Sequence, residues 1–154
     1  VSMTAATGIV SEAFTFTNAG TLVLGTSGGT QTYTGGITAI DPSAITINGL
    51  INTASAALNL GAASKTVTLG SDVTINTYSD GGSGGAVTIS SAIEANSAGL
   101  QSLTIQTKGA TATLAGTIGG TKALGWLTSL TLVVSTLTNL ILLPALIKTF
   151  IKQK

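Results

Sequence analysis

The chain has 154 residues, a length that suggests one domain, and a formal net charge of +1 with only 7% charged residues, against roughly 25% in an ordinary soluble domain. It contains no Cys, His or Arg, which removes thiol nucleophiles, imidazole bases and the usual zinc ligands and leaves no cationic field for a nucleic acid. Thr is the commonest residue and there are 20 Gly. That is the composition of an all-β chain with many turns, its surface covered by hydroxyls and amides and prone to associate with copies of itself.

In chain order, Val1 follows no Met and no basic-then-apolar leader, which reads as a processed mature form or an excised fragment. Ala5, Ala6, Gly8, Ile9 and Val10 make a small, apolar, uncharged start. Alternation begins at Phe14 and predicts strands over residues 14–18, 22–25 and 31–34, separated by Ala19-Gly20 and Gly28-Gly29. Asp41-Pro42 marks a loop. Short strands follow over residues 45–49, 57–61, 65–70 and 73–77. Asn18, Gly25, Asn48, Gly61, Gly70 and Asn76 close them, residues that tolerate the left-handed backbone of a tight corner. Residues 79–85, SDGGSGG, read as the most flexible loop. A phosphate cradle would need a following helix with Lys-Ser or Lys-Thr, and a strand follows instead, so the run is expected to be a protruding corner or an insertion.

Residues 86–134 hold two copies of one pattern. In AVTISSAIEANSAGLQSLTIQT and TATLAGTIGGTKALGWLTSLTLV a short alternating strand is followed six residues on by an Ile, then by a small-residue turn and a second strand. Val87-Thr88-Ile89 with Ile93 and Ala112-Thr113-Leu114 with Ile118 are about 25 residues apart, and Ile45-Thr46-Ile47 with Ile51 reads as an earlier copy. A unit that cannot bury its own apolar face must stack on a neighbour. The expected fold is therefore all-β, a parallel β-solenoid of short Thr-rich strands over residues 1–134, with an antiparallel β-sandwich as the alternative. In the strands of residues 45–47, 73–75, 87–89, 103–105 and 112–114 the apolar side chains are expected inward and the Thr between them outward.

These phrases resemble the repeats of giant bacterial cell-surface β-strand-repeat proteins, the filamentous-haemagglutinin-like and autotransporter-like adhesins. The resemblance covers roughly residues 45–134. It implies a parallel β-helix, export to the cell surface, and a role in adhesion, matrix or filament formation. It carries no functional residues, because the repeat pattern has none, and such adhesins are usually far longer.

The final segment, residues 135–154, is apolar. It reads as a terminal cap or subunit contact, as a membrane anchor, or as a last strand pair: the uncharged stretch of about 18 residues from Leu130 to Ile147 reaches the lower limit of a span, but Ser135, Thr136, Thr138, Asn139 and Pro144 interrupt it. Leu140, Leu143, Ile147 and Ile151 share one helical face. Trp126 is expected to be partly buried between the repeats and this segment.

Catalysis has little to work with. Glu12, Asp41, Asp72, Asp80 and Glu94 are dispersed, no calcium-loop motif is present, and no cofactor, metal or enzymatic activity is expected. The leading expectation is an extracellular structural protein that self-assembles end to end into a cell-surface filament or layer, with Ile9, Val10, Leu137, Leu140, Leu143, Ile147 and Ile151 at the contact. The alternative is an adhesin or binding module that presents a Thr-rich face to glycan, ice or a host surface, on the strength of the pairs Thr15-Thr17, Thr32-Thr34, Thr66-Thr68 and Thr111-Thr113.

Overall fold

A computed structural model describes residues 1–118. The boundary expected at residue 134, Trp126 and the apolar final segment lie outside the described residues. Within them the chain winds through five successive turns of a parallel β-solenoid. The first turn contains β1 (Ser2–Met3), β2 (Thr7–Val10) and β3 (Phe14–Thr15), and the second β4 (Thr21–Leu24), β5 (Thr30–Tyr33) and β6 (Ile37–Ala39). The third contains β7 (Ala44–Thr53) and β8 (Leu58–Leu60), and the fourth β9 (Thr66–Asn76) and β10 (Val87–Ile89). The fifth contains β11 (Ala92–Ala95), β12 (Leu103–Gln106) and β13 (Ala112–Leu114).

Each turn lays its strands on three faces. The first face stacks β1, β4, the first half of β7, the first half of β9, and β11. The second stacks β2, β5, the second halves of β7 and β9, and β12. The third stacks β3, β6, β8, β10 and β13. Every one of these ladders is parallel, which rules out the antiparallel sandwich. β7 and β9 each run unbroken through the corner between the first two faces, where three shorter strands, residues 45–49, 65–70 and 73–77, were expected. Gly49 (φ 65°) makes that bend in β7 beside a register irregularity. A side chain there would meet the carbonyls of Thr26 and Gly29, so only Gly fits.

Alternation fills the interior. On the first face Leu22, Ile45, Val67 and Ile93 stack in one column, and Leu24, Ile47 and Leu69 in the next. On the third face Ile37, Leu58 and Val87 lie in register, as do Ala39, Leu60 and Ile89. All are buried, each large side chain contributing about 1.5–3 kcal/mol relative to an exposed one. The expected register holds over residues 45–47, 73–75 and 87–89: Ile89 is 0% exposed while Thr88 is half-buried on the outside. It weakens in the fifth turn. Leu103, Ile105 and Leu114 are half-buried against the core and Ala112 is exposed.

The repeat alignment needs one correction. Val87 to Ile89 pair with Ala112 to Leu114, and Ile93 bridges Ile118, as expected. Ile45 to Ile47, however, lie on the first face, over Val67 and Leu69, and the true partner of Val87 in the turn before is Leu58. Apolar-Thr-apolar serves every face, so the tripeptide alone does not say which face it occupies.

The polar interior is small. Gln31 is buried below Gly8, whose missing side chain leaves room for its amide, and Gln31 Nε2 donates to the Ala5 carbonyl at 2.6 Å. Tyr33 is also buried, and desolvation pushes its hydroxyl pKa up to about 12. Thr53, the last residue of the second-face strand, and Thr77 and Thr107, the first residues after theirs, donate Oγ1 to a carbonyl across the next corner, those of Ala56 (2.5 Å), Gly85 (2.7 Å) and Ala110 (2.6 Å).

Corners were expected to rely on left-handed Asn and Gly. Gly25 and Gly61 do adopt positive φ, but the non-Gly residues that do so are Ser55, Ser64 and Lys108. The Asn residues act through their side chains instead. Asn18 Nδ2 donates to the carbonyls of Gly20 and Thr21, Asn48 Nδ2 to that of Gly25, and Asn76 Oδ1 accepts from the Tyr78 N–H.

Candidate functional site

Two places stand out among the described residues: the open edge of the first turn and the corner that contains residues 79–85. At the edge, the Ala6 and Val10 carbonyls accept from the N–H groups of Thr30 and Thr34. A parallel ladder alternates its bonding direction, so the N–H groups of Thr7 and Ile9 point the other way, to an edge with no partner strand among the described residues. The same alternation turns the Ser2 N–H outward, because the Val1 and Met3 carbonyls bind Val23 and Gly25. It also turns out that of Thr15, because Phe14 and Phe16 bind Gly36 and Thr38.

The sequence-predicted contact residues divide here. Ile9 is 77% exposed, its side chain on the outer surface, whereas Val10 points inward and packs on the core. It is the backbone of Ile9, rather than an Ile9–Val10 apolar patch, that lies on the open edge. Leu137, Leu140, Leu143, Ile147 and Ile151 lie outside the described residues.

At the other end of the described stack, Leu69, Ile93, Leu103, Ile105, Leu114 and Ile118 line a hollow of about 380 Å³. The Ile93 N–H donates to the Thr117 carbonyl there.

The acids remain apart. Asp72 accepts from both the hydroxyl and the N–H of Ser102, each at 2.8 Å, and these bonds hold its carboxyl below the usual range. Glu94 is exposed on the first face and Glu12 in the first turn. Among the described residues no three potential ligands gather to hold a metal ion. No helix among them is long and apolar enough to cross a membrane.

Asp80 is different. It accepts from the Gly82 N–H at 3.0 Å and from the Ser55 hydroxyl at 2.9 and 3.0 Å, and these bonds, together with Lys108, lower its carboxyl pKa. Lys108 Nζ donates to the Gly81 carbonyl at 2.6 Å and stands 5.8 Å from the centre of the Tyr78 ring. Hydrogen bonds therefore tie this corner to the turns on both sides. Sequence reasoning saw the insertion but missed its partners, because Ser55 and Lys108 belong to the turns on either side.

The Thr-x-Thr pairs do not form one face. Thr66 and Thr68 lie outward on the first, Thr32 on the second, and Thr15 and Thr113 on the third, while Thr17, Thr34 and Thr111 fall outside the strands.

Compared with known proteins, the chain matches no family model, no curated protein and no solved structure.

Proposed function

We propose that the chain is an extracellular structural protein that stacks end to end with copies of itself into a cell-surface filament or matrix layer. The observation that supports this reading is the first turn, where β1, β2 and β3 all present backbone edges that find no partner strand among the described residues. Such an edge is a template for another strand. The turn carries little charge to oppose a neighbour, with Glu12 its only charged side chain. Burying a few hundred Å² of apolar surface in the same contact adds several kcal/mol at about 25 cal/mol per Å², before the entropy of association is subtracted. The apolar final segment, with Leu137, Leu140, Leu143, Ile147 and Ile151, is assigned the opposite side of the contact. A head-to-tail contact of this kind does not close on itself, so its product is a filament. The resemblance to cell-surface β-strand-repeat adhesins agrees with this role.

Ile9→Pro tests the edge. It removes a donor that points out of the stack and a side chain that is exposed on the outer surface, and Pro is tolerated on an edge strand. Sedimentation and electron microscopy of the full chain should show fibres that shorten or vanish in Ile9→Pro and in a chain ending at Val134. A full chain that stays monomeric at high concentration without detergent refutes the proposal. A chain soluble only in detergent favours a membrane anchor in the final segment.

A further inference from the structure

The corner after the second face is made most simply in the third and fifth turns. Thr53 and Thr107 each bind the carbonyl three residues on, and β8 and β13 begin five residues after the Thr. In the fourth turn the same bond from Thr77 reaches Gly85, eight residues on, and β10 begins ten residues after Thr77. Five residues have thus been added without changing the hydrogen bond that turns the chain. The fold does not need them to make the corner.

They are nevertheless tied to both neighbouring turns. Ser79 Oγ donates to the Thr53 carbonyl at 2.9 Å below, Lys108 reaches Gly81 from above, and Asp80 binds Ser55 and Gly82. This is where an acid, a base and an aromatic ring meet among the described residues. Elsewhere Lys65 binds the carbonyls of Ile40 and Asp41, and Asp72 binds Ser102, with no aromatic ring in either contact.

We propose that this corner binds a neutral carbohydrate, with the Asp80 carboxylate accepting from one hydroxyl, the Lys108 ammonium donating to its neighbour, and the Tyr78 ring forming an apolar wall. The donor and acceptor counts fit. A carboxylate offers about four lone-pair positions, of which Ser55 and Gly82 occupy three contacts. An ammonium has three N–H groups, and the Gly81 carbonyl takes one. Vicinal sugar hydroxyls supply one donor and one acceptor at adjacent positions. The charges of Asp80 and Lys108 cancel, so neither an anion nor a cation gains from entering. Preorganisation by neighbouring turns keeps the ordering cost of binding low. This site lies on a lateral corner and is independent of assembly through the first-turn edge.

The test is a glycan array carrying neutral and acidic oligosaccharides, probed with the full chain and with an Asp80→Asn, Lys108→Met double variant. Titration of the strongest neutral oligosaccharide then follows backbone amide resonances, with calcium chloride as a separate titrant. The expected result is binding to neutral glycans that shifts the amides of residues 78–85, Ser55 and Lys108 and weakens at least about tenfold in the variant. Unchanged core resonances in the variant separate loss of the site from loss of the fold. Binding confined to acidic glycans, shifts produced by calcium alone, equal binding by both proteins, or no binding on the array overturns the proposal.

Discussion

Thr77→Val tests the corner hydrogen bond with little change of shape. Thr77 is 0% exposed; its Oγ1 donates to the buried Gly85 carbonyl at 2.7 Å and accepts from the Gly85 N–H at 3.1 Å. That N–H keeps a second acceptor, the Thr77 carbonyl at 3.1 Å, so the main loss is the donor to the Gly85 carbonyl. Valine fills the same volume and leaves no cavity, and an unpaired buried carbonyl costs roughly 1–3 kcal/mol. At roughly 3 °C per kcal/mol for a chain of this size, the melting temperature should fall by about 3–9 °C. Outward Thr88→Val is the control and should stay within about 0.5 kcal/mol. Urea denaturation gives the free energies, and hydrogen exchange locates the loss, which in a stack of turns should centre on Gly85 and β10. Thr77→Val indistinguishable from Thr88→Val, or protection lost evenly through all five turns, would refute the reasoning.

Ile89→Asp places an unpaired charge in the third-face column and should unfold the surrounding turns, seen as loss of β-sheet circular dichroism, whereas Thr88→Ser should change stability by less than about 0.5 kcal/mol. Gly49→Ala combines a left-handed backbone with contact against the Thr26 and Gly29 carbonyls, so denaturation should show a loss of at least about 2 kcal/mol. Tyr33 binds its proton more tightly when folded, so its contribution is intact below pH 10.0, the unfolded value, and is lost as pH rises toward the folded value of about 12. At about 1.4 kcal/mol per pH unit the loss approaches 2–3 kcal/mol. Tyr33→Phe should therefore flatten the alkaline limb of a stability-against-pH curve.

The period-two alternation and the spacing from Val87 to Ala112 were enough to read the stack, because burial of one side of each strand is written directly into the sequence. Face assignment was not readable. Ile45-Thr46-Ile47 and Val87-Thr88-Ile89 have the same pattern, and only the corner lengths between them decide that one lies on the first face and the other on the third. The Thr corner did leave a signal, since Thr53 precedes Ala56, and Thr107 precedes Ala110, by the same interval. The inserted residues concealed its third instance at Thr77. The site at Asp80 was hidden for a further reason. Its partners lie 25 residues before and about as far after in sequence, and the coil length that brings them together varies from turn to turn.

The Thr77–Gly85 bond also has a bearing on how such a chain can change. Because that bond fixes where β10 starts, Val87 stays opposite Leu58 and Ala112 whatever length of chain lies between Ser79 and Gly84. Closing a longer loop costs only about 0.6 kcal/mol for each doubling of its length. The fourth-turn corner is therefore a port: a peptide grafted between Gly81 and Gly82 would be displayed on the side of the solenoid while the strands keep their register. Selection has the same freedom, and can rewrite what the surface offers at this corner without renegotiating any residue of the interior.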